Sequence, residues 1–406
     1  IQDAQISPDG SCIFTADASR KFTVYPFNPY MLDDEPTRGL EPYAVFQATD
    51  PIWSFAVNPR FDLNDMHKTT VLLGCRDQYV HLYNALYNMS KFSQGRPCQD
   101  PALPVDISHK LAAYKMVCPL TEAIHSPLSL AYSHCGNYFY AGHQDVISIF
   151  DMDRKDKPMT DIRTIPSKRN KLKGGGRGFK GHITALALSP STPYYNAGVL
   201  AAGSRTRYVG LYDGNTGQEV THFDLPDIMS STTIHDRDVK GVEGKGVTHM
   251  KWSYDGIYLC IAERKSDTIL IYDSRNFSLA LGHCAGRKAL TNQKLGFDIR
   301  ITADIYGDVD QQVWAGGTDG MVRVWKEPWL KEGAMEADEV IDVGGPGEGA
   351  VVASLAHGDG RAVVVAKGAC EIEKSKKSKR SGKKKTDSTA SSRLSQWGSL
   401  DILRLG

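Results

Sequence analysis

The sequence lacks the features that would place it in a membrane, a disulfide scaffold or the secretory pathway. No run approaches the roughly 18 apolar residues that a membrane-spanning helix needs, and no basic segment followed by an apolar one opens the chain. The eight cysteines are too far apart for a CxxC motif, so we expect reduced thiols in an intracellular compartment. The chain starts with Ile1 rather than Met, and we expect a segment upstream of it.

The motifs of common catalytic sites are also missing. The sequence has no GxxxxGK(S/T), HExxH or GxSxG pattern. Residues 176–181 match GxGxxG, but they precede a predicted strand at residues 183–188 rather than a helix, and no βαβ unit surrounds them. No nucleophile, base and oxyanion donors come together. We therefore expect a protein that is not an enzyme, with no cofactor, no metal and no small-molecule substrate.

The chain does contain a repeated strand pattern. Its 406 residues are 41% hydrophobic and 23% charged, which is ordinary for a globular protein. One segment recurs, in which aliphatic or β-branched residues alternate into an aromatic that Asp or Asn often follows. Its copies lie at residues 22–25, 80–84, 147–151, 209–213, 269–273 and 322–326, with a degenerate copy at 400–403.

Each copy follows two shorter strand patterns and a tight turn such as Pro8-Asp9-Gly10, in which Pro presets φ and Gly accepts a positive φ. Three antiparallel strands that end in an aromatic and Asp are typical of the WD repeat. The sequence thus predicts an all-β protein, a single seven-bladed WD40 β-propeller over residues 1–406. The blades are expected to start near residues 1, 52, 128, 183, 247, 295 and 351.

The sequence predicts two special features of the last blade. We find seven three-strand units but six connecting fourth strands, so the strand that closes the propeller is expected upstream of residue 1. Residues 371–395 are rich in Lys and Ser and are predicted to form a disordered insertion in this blade. Its basic tract is a candidate nuclear-import signal or a plain solvated segment. The tract comprises Lys374, Lys376, Lys377, Lys379, Arg380, Lys383, Lys384 and Lys385.

A net charge of +1 conceals two faces of opposite charge. In a propeller, the turns between the second and third strands share a face with the links between blades, and we call this the first face. Its predicted basic residues include Arg20, Lys21, Arg76, Arg264 and Lys265, joined by the loop at 167–180 and the tract at 374–385. The second face receives Asp33–Glu35, Asp304, Asp308, Asp310 and the acidic residues at 332–339. A basic face of this kind attracts polyanions. The loop at 167–180 either grips phosphates and stacks a base on Phe179 or is simply solvated.

Several stretches resemble one family, the Cajal-body WD-repeat proteins of the telomerase particle together with fungal relatives linked to splicing. The similarity covers about residues 1–326. The most distinctive stretch is Thr291-Asn-Gln-Lys-Leu-Gly-Phe-Asp298, because Thr-Asn-Gln is not general WD-repeat sequence. The others are residues 7–13, 183–190, 210–212, 246–249 and Asp255-Gly256.

The resemblance implies a non-catalytic factor in the nucleus, in Cajal bodies or nucleoplasm. It would bind small nuclear or small Cajal-body RNA, or telomerase RNA as in animal members. It would aid the localisation of that RNA or its assembly into ribonucleoproteins. Its partners would include ribonucleoprotein proteins but no membrane. The alternative is a protein-only WD40 scaffold in a nuclear complex such as the spliceosome. Under the first hypothesis, phosphates would meet Lys168, Arg169, Lys171, Lys173, Arg177, Lys180, Arg205, Arg207, Arg287 and Lys288, and bases would meet Phe179, Tyr208 and Asn292.

Overall fold

The strand-forming segments fold into seven separate β-sheets, and the inner strands of neighbouring sheets pack side by side around a ring. This computed structural model describes residues 1–28, 40–92, 103–118, 121–166, 178–226, 242–303, 309–344, 349–370 and 398–405. The predicted seven-bladed WD40 β-propeller is confirmed. No helix within these ranges is long and apolar enough to cross a membrane.

The first three blades each contain four antiparallel strands, numbered along the chain. Blade 1 has β1 (Asp3–Ile6), β2 (Cys12–Ala16), β3 (Lys21–Pro26) and β4 (Ala44–Gln47). Blade 2 has β5 (Ile52–Val57), β6 (Thr70–Cys75), β7 (Val80–Asn84) and, beyond the short helix α1 (Met89–Phe92) and strand β8 (Val105–Asp106), β9 (Lys110–Tyr114). Blade 3 has β10 (Ser129–Tyr132), β11 (Tyr138–Gly142), β12 (Val146–Asp151) and β13 (Thr160–Arg163). Strand β8 does not join blade 2 but pairs in parallel with the outer strand of blade 1.

The remaining blades follow the same order. Blade 4 has β14 (Ile183–Leu188), β15 (Val199–Ser204), β16 (Tyr208–Asp213) and β17 (Glu219–Asp224). Blade 5 has β18 (Val247–Trp252), β19 (Tyr258–Glu263), β20 (Ile269–Asp273) and β21 (Gly282–Cys284). Blade 6 has β22 (Phe297–Ala303), β23 (Val309–Gly316), β24 (Met321–Lys326) and β26 (Glu339–Asp342). Between β24 and β26, the 3₁₀ turn Pro328–Leu330 leads to β25 (Gly333–Met335), which pairs in parallel with β21 of blade 5. Blade 7 has β27 (Ala350–Ala356), β28 (Ala362–Gly368) and β29 (Gly398–Arg404).

Neighbouring inner strands are joined by side chains that reach the next blade. Ser54 Oγ donates to the carbonyl of Pro127 at 3.1 Å, and Ser129 Oγ donates to the carbonyl of Ile183 at 2.9 Å. Each bond gives a partner to a backbone carbonyl of the next blade, and buried backbone carbonyls need such partners. The ring is therefore held by polar contacts as well as by apolar packing.

Glycine near the end of the second strand lets adjacent blades approach closely. A Cβ built on Gly316 would lie 2.1 Å from Val351 Cγ1, and one on Gly203 would lie 2.4 Å from Val247 Cγ1. Real carbon atoms do not approach this closely without displacement of one of them. Glycine at these positions thus sets the spacing between blades 6 and 7 and between blades 4 and 5.

The ring closes where blade 7 meets blade 1. Ala4 and Ile13 share an apolar cluster with Ala353, Leu355 and Val364. Within the described residues blade 7 has three strands. The expected closing strand and the insertion at 371–395 lie outside the described residues, so both remain predictions.

Candidate functional site

The strand register places the basic turns of blades 4 and 5 on the first face. In blade 1, Asp3 at the start of the first strand pairs with Ala16 at the end of the second, so blade entries and turns between strands two and three lie on one side. Arg205 lies in this turn of blade 4, and Arg264 lies in the same turn of blade 5. The link from blade 5 to blade 6 brings Lys288 and Asn292 to the same side.

A cavity of about 320 Å³ opens between the inner ends of several blades on this face. We call it the mouth cavity. Its lining combines an aromatic ring, amides and charged groups, contributed by Trp53, Arg264, Asn292, Gln293 and Lys294. These residues come from blade 2, blade 5 and the link into blade 6, so the propeller fold is what brings them together.

The guanidinium groups of Arg205 and Arg264 are close enough to influence each other electrostatically, and Arg264 lines the cavity. Arg264 Nη1 donates to the carbonyl of Asn292, while its buried Nε has no partner within the described residues. Burial, and secondarily the positive charge of Arg205, lowers the pKa of Arg264. The side chain of Arg205 is exposed, and no carboxylate of the described residues forms a salt bridge with it. The pair is therefore a local excess of positive charge that an anion would neutralise.

A neighbouring lysine, Lys294, forms an ion pair within the protein. Lys294 Nζ lies 2.8 Å from Asp3 Oδ2 and neutralises that carboxylate at the edge of the cavity. Lys288 is exposed on the same face. The uncompensated charge thus resides on Arg205, Arg264 and Lys288 rather than on every cation of this face.

The prediction that Arg287 contacts phosphate is wrong in this structure. Its side chain is 1% exposed, and its guanidinium donates to the carbonyls of Leu295, Gly296 and Gly316 at 2.9, 2.8 and 3.2 Å. Burial lowers the pKa of Arg287 to about 10. These bonds tie the link into blade 6 to the second strand of that blade, so the role of Arg287 is structural.

The prediction for Arg207 is also corrected. Its Nε and Nη2 donate to the two carboxylate oxygens of Glu263 at 2.7 and 2.9 Å, a bidentate pair. Glu263 is buried. The charge of Arg207 is therefore already matched inside the protein, and this residue joins blade 4 to blade 5 instead of facing a ligand.

Phe179 cannot stack on a base in this conformation, because its ring is fully buried. It lies parallel to the ring of Tyr208, with centroids 5.9 Å apart. Tyr208 is half-buried on the outer part of blade 4. Thr206 Oγ1 donates to the carbonyl of Lys180, which orients the end of this loop. Both aromatic residues thus serve packing between blades 3 and 4.

Apart from Lys180, which is half-buried, the predicted cations of the 167–180 loop and of the import tract lie outside the described residues. They are Lys168, Arg169, Lys171, Lys173 and Arg177 in the loop, and Lys374, Lys376, Lys377, Lys379, Arg380, Lys383, Lys384 and Lys385 in the tract. Of the predicted site residues that the structure describes, Arg205, Lys288 and Asn292 have exposed side chains on the first face.

The sequence reasoning missed Trp53 and the role of Arg264 beside it. Trp53 lies on β5 between the buried residues Ile52 and Ser54 and is itself 42% exposed. No local pattern marks this ring, because β5 does not alternate between buried and exposed residues and its register shifts at Trp53. Arg264 was recognised as basic and on the first face, but its position at the cavity depends on contacts that the sequence does not display.

The described residues give no support for a metal site or for disulfide bonds. No group of three or more His, Cys, Asp or Glu side chains there could hold a metal ion. The seven cysteines that the structure describes are all free thiols.

No protein-family model matches the chain. It is 24% identical over 331 residues to the guanine nucleotide-binding protein negative regulator 1 of Schizosaccharomyces pombe, which covers 80% of this chain and 70% of that protein. It is 26% identical over 207 residues to the Telomerase Cajal body protein 1 homolog of Drosophila melanogaster, which covers 50% of this chain. This second match spans 31% of the Drosophila protein's own length.

These matches support a WD40 relationship. Together with the propeller fold, they support a non-catalytic scaffold.

Proposed function

We propose that the first face of this propeller binds small nuclear or small Cajal-body RNA in the nucleus and aids its localisation or its assembly with ribonucleoprotein proteins. The observation that carries the proposal is the uncompensated charge of Arg205, Arg264 and Lys288 on the first face, where Arg264 lines the mouth cavity. The likeness to the Drosophila Telomerase Cajal body protein 1 homolog supports a nuclear RNA particle as the setting.

Unpaired cations on one face favour RNA over a neutral protein surface. Binding to phosphates releases condensed counterions, so affinity falls steeply as the salt concentration rises. A partner protein that docks on apolar surface shows a much weaker dependence on salt. The salt slope therefore separates the two kinds of partner.

The experiment that tests the proposal is crosslinking of the nuclear protein to RNA, followed by sequencing of what remains attached. Recovery of small nuclear or small Cajal-body RNAs, with crosslinks near Arg205, is the expected result. An empty library despite good recovery of protein would overturn the proposal.

A charge-reversal pair gives the matched control. Arg205→Glu with Lys288→Glu reverses two exposed cations on the first face, and Lys155→Glu with Lys157→Glu reverses two on the connection between strands three and four of blade 3. Both variants change the net charge equally. We expect the first to lose RNA binding and the second to retain it, whereas equal losses would show a mere effect of total charge.

A second candidate is a protein-only scaffold, which the name of the S. pombe relative favours, since a negative regulator of a guanine nucleotide-binding protein acts on a protein. On the second face, exposed Glu332 provides charge of the opposite sign for such a partner. Affinity purification of the nuclear protein at high salt would then recover protein partners without RNA. Loss of all partners on RNase treatment would exclude this candidate.

A further inference from the structure

We propose that the mouth cavity holds one unpaired nucleotide of the bound RNA, with its base against the Trp53 ring and its phosphate at Arg264. This inference rests on the proposed function and specifies the ligand of that site. It predicts that the protein prefers single-stranded RNA, because a paired base cannot leave its helix without an energetic cost.

The local backbone directs Trp53 into the cavity. Ile52 pairs with Cys75 and Ser54 pairs with Gly74, so Trp53 is the unpaired residue of a β-bulge. Such bulges re-aim a side chain away from the regular pleat. The corresponding bulges of blades 4, 5 and 7 carry the smaller side chains of Thr184, Thr248 and Val352.

The exposure of this ring is unusual for its position. Trp53 is 42% exposed although both of its neighbours on the strand are buried. A large ring that lines a cavity offers a flat apolar surface of the kind on which bases stack. Stacking of one base on an aromatic side chain contributes about 1–3 kcal/mol and tolerates any base.

Polar groups for a base edge also line the cavity. The side chain of Asn292 is exposed at the cavity, while its carbonyl holds Arg264 in place. Gln293 Nε2 donates to the carbonyl of Ala369 at 3.3 Å, which leaves its amide oxygen for another donor. Amide side chains both donate and accept, as the edges of bases require.

The charges at the cavity favour a single phosphate. The ion pair of Lys294 with Asp3 is neutral as a unit, so Arg264 supplies a net positive charge to the lining of the cavity. The volume of about 320 Å³ lies at the lower end of the range for small-ligand sites, which suits one nucleotide rather than a helix.

The test compares variants of the full chain in binding a single-stranded RNA and a blunt RNA duplex of equal length. Trp53→Leu is expected to weaken single-strand binding roughly fivefold to a hundredfold while duplex binding stays unchanged. Tyr254→Leu, which removes a 64% exposed ring from the opposite face, is the control and is expected to change neither. Trp53→Phe keeps a ring and should retain most of the single-strand affinity, which also guards against a folding defect in the Leu variant.

A separate readout concerns the phosphate. Arg264→Gln is expected to reduce the slope of log affinity against log salt by about one.

The outcomes distinguish this inference from the proposed function. If RNA binds, the Arg205 and Lys288 reversals weaken it, and Trp53→Leu binds as tightly as Tyr254→Leu, the nucleotide site is refuted while RNA binding stands. If no RNA binds to the unmodified chain, both proposals fail. Loss of single-strand and duplex binding together in a folded Trp53→Leu variant would also overturn the nucleotide site.

Discussion

Replacement of Arg207 by Ala is expected to destabilise the propeller far more than replacement of its neighbour Arg205. Arg207 forms a bidentate ion pair with Glu263, with distances of 2.7 and 2.9 Å, across the junction of blades 4 and 5. The Glu263 side chain is 1% exposed. Arg207→Ala would leave this carboxylate buried without its counter-charge.

The size of the effect follows from the burial of the carboxylate. Removal of one partner from a buried ion pair costs about 3–5 kcal/mol, because the remaining charge stays desolvated. Arg205 is exposed, so Arg205→Ala is expected to change the free energy of unfolding by no more than about 0.5 kcal/mol. The double variant Arg207→Ala with Glu263→Gln should recover part of the loss, since a neutral amide is less costly to bury than a carboxylate.

Urea denaturation followed by tryptophan fluorescence measures these differences in the free energy of unfolding. If Arg207→Ala is as stable as Arg205→Ala, the ion pair contributes nothing and the structural role assigned to Arg207 is refuted. RNA binding by the folded fraction separates the two arginines as well. We expect that fraction of the Arg207 variant to bind nearly as the unmodified chain does.

Two further changes test the packing and the titration of the fold. Gly316→Ala places a carbon 2.1 Å from a side chain of blade 7 and should cost about 1–3 kcal/mol in the same denaturation assay. Gly358→Ala, where nothing lies within 4 Å, should cost much less, and equal costs would contradict the close-approach argument. Burial, and secondarily the charge of Lys110, lowers the pKa of His81 to about 4 from a usual value near 6.5. Between these pH values the unfolded chain binds a proton at His81 that the folded chain does not, so stability should fall as the pH drops from 6.5 towards 4. His81→Gln should flatten this dependence in denaturation curves measured across that range, and an unchanged slope would show that other groups cause it.

The fold could be predicted because its signals are local. Each strand carries its own alternation, and each tight turn carries its own Asp-Gly or Pro-Asp-Gly pattern, so seven recurrences indicate seven blades without any knowledge of contacts. The assignment of loops to two faces follows from the same order of strands. That reasoning correctly placed Arg205, Arg264 and Lys288 on one side of the ring.

Whether a side chain on that face is buried, paired or exposed depends on residues that are distant in the sequence. Arg207 meets Glu263 56 positions away, and Arg287 is buried among carbonyls that include Gly316, 29 positions away. Phe179 is enclosed by the packing of blade 3 against blade 4, which no local pattern reveals.

The order of strands and turns is written in neighbouring residues, because backbone conformation responds to local side-chain sterics and hydrogen bonding. The availability of a charge or a ring depends on burial and on partners that only the closed ring supplies. For that reason the repeat pattern yields a propeller with a basic face, while the pairing of Trp53 with Arg264 at one cavity emerges only when blades 2 and 5 are brought together around the channel.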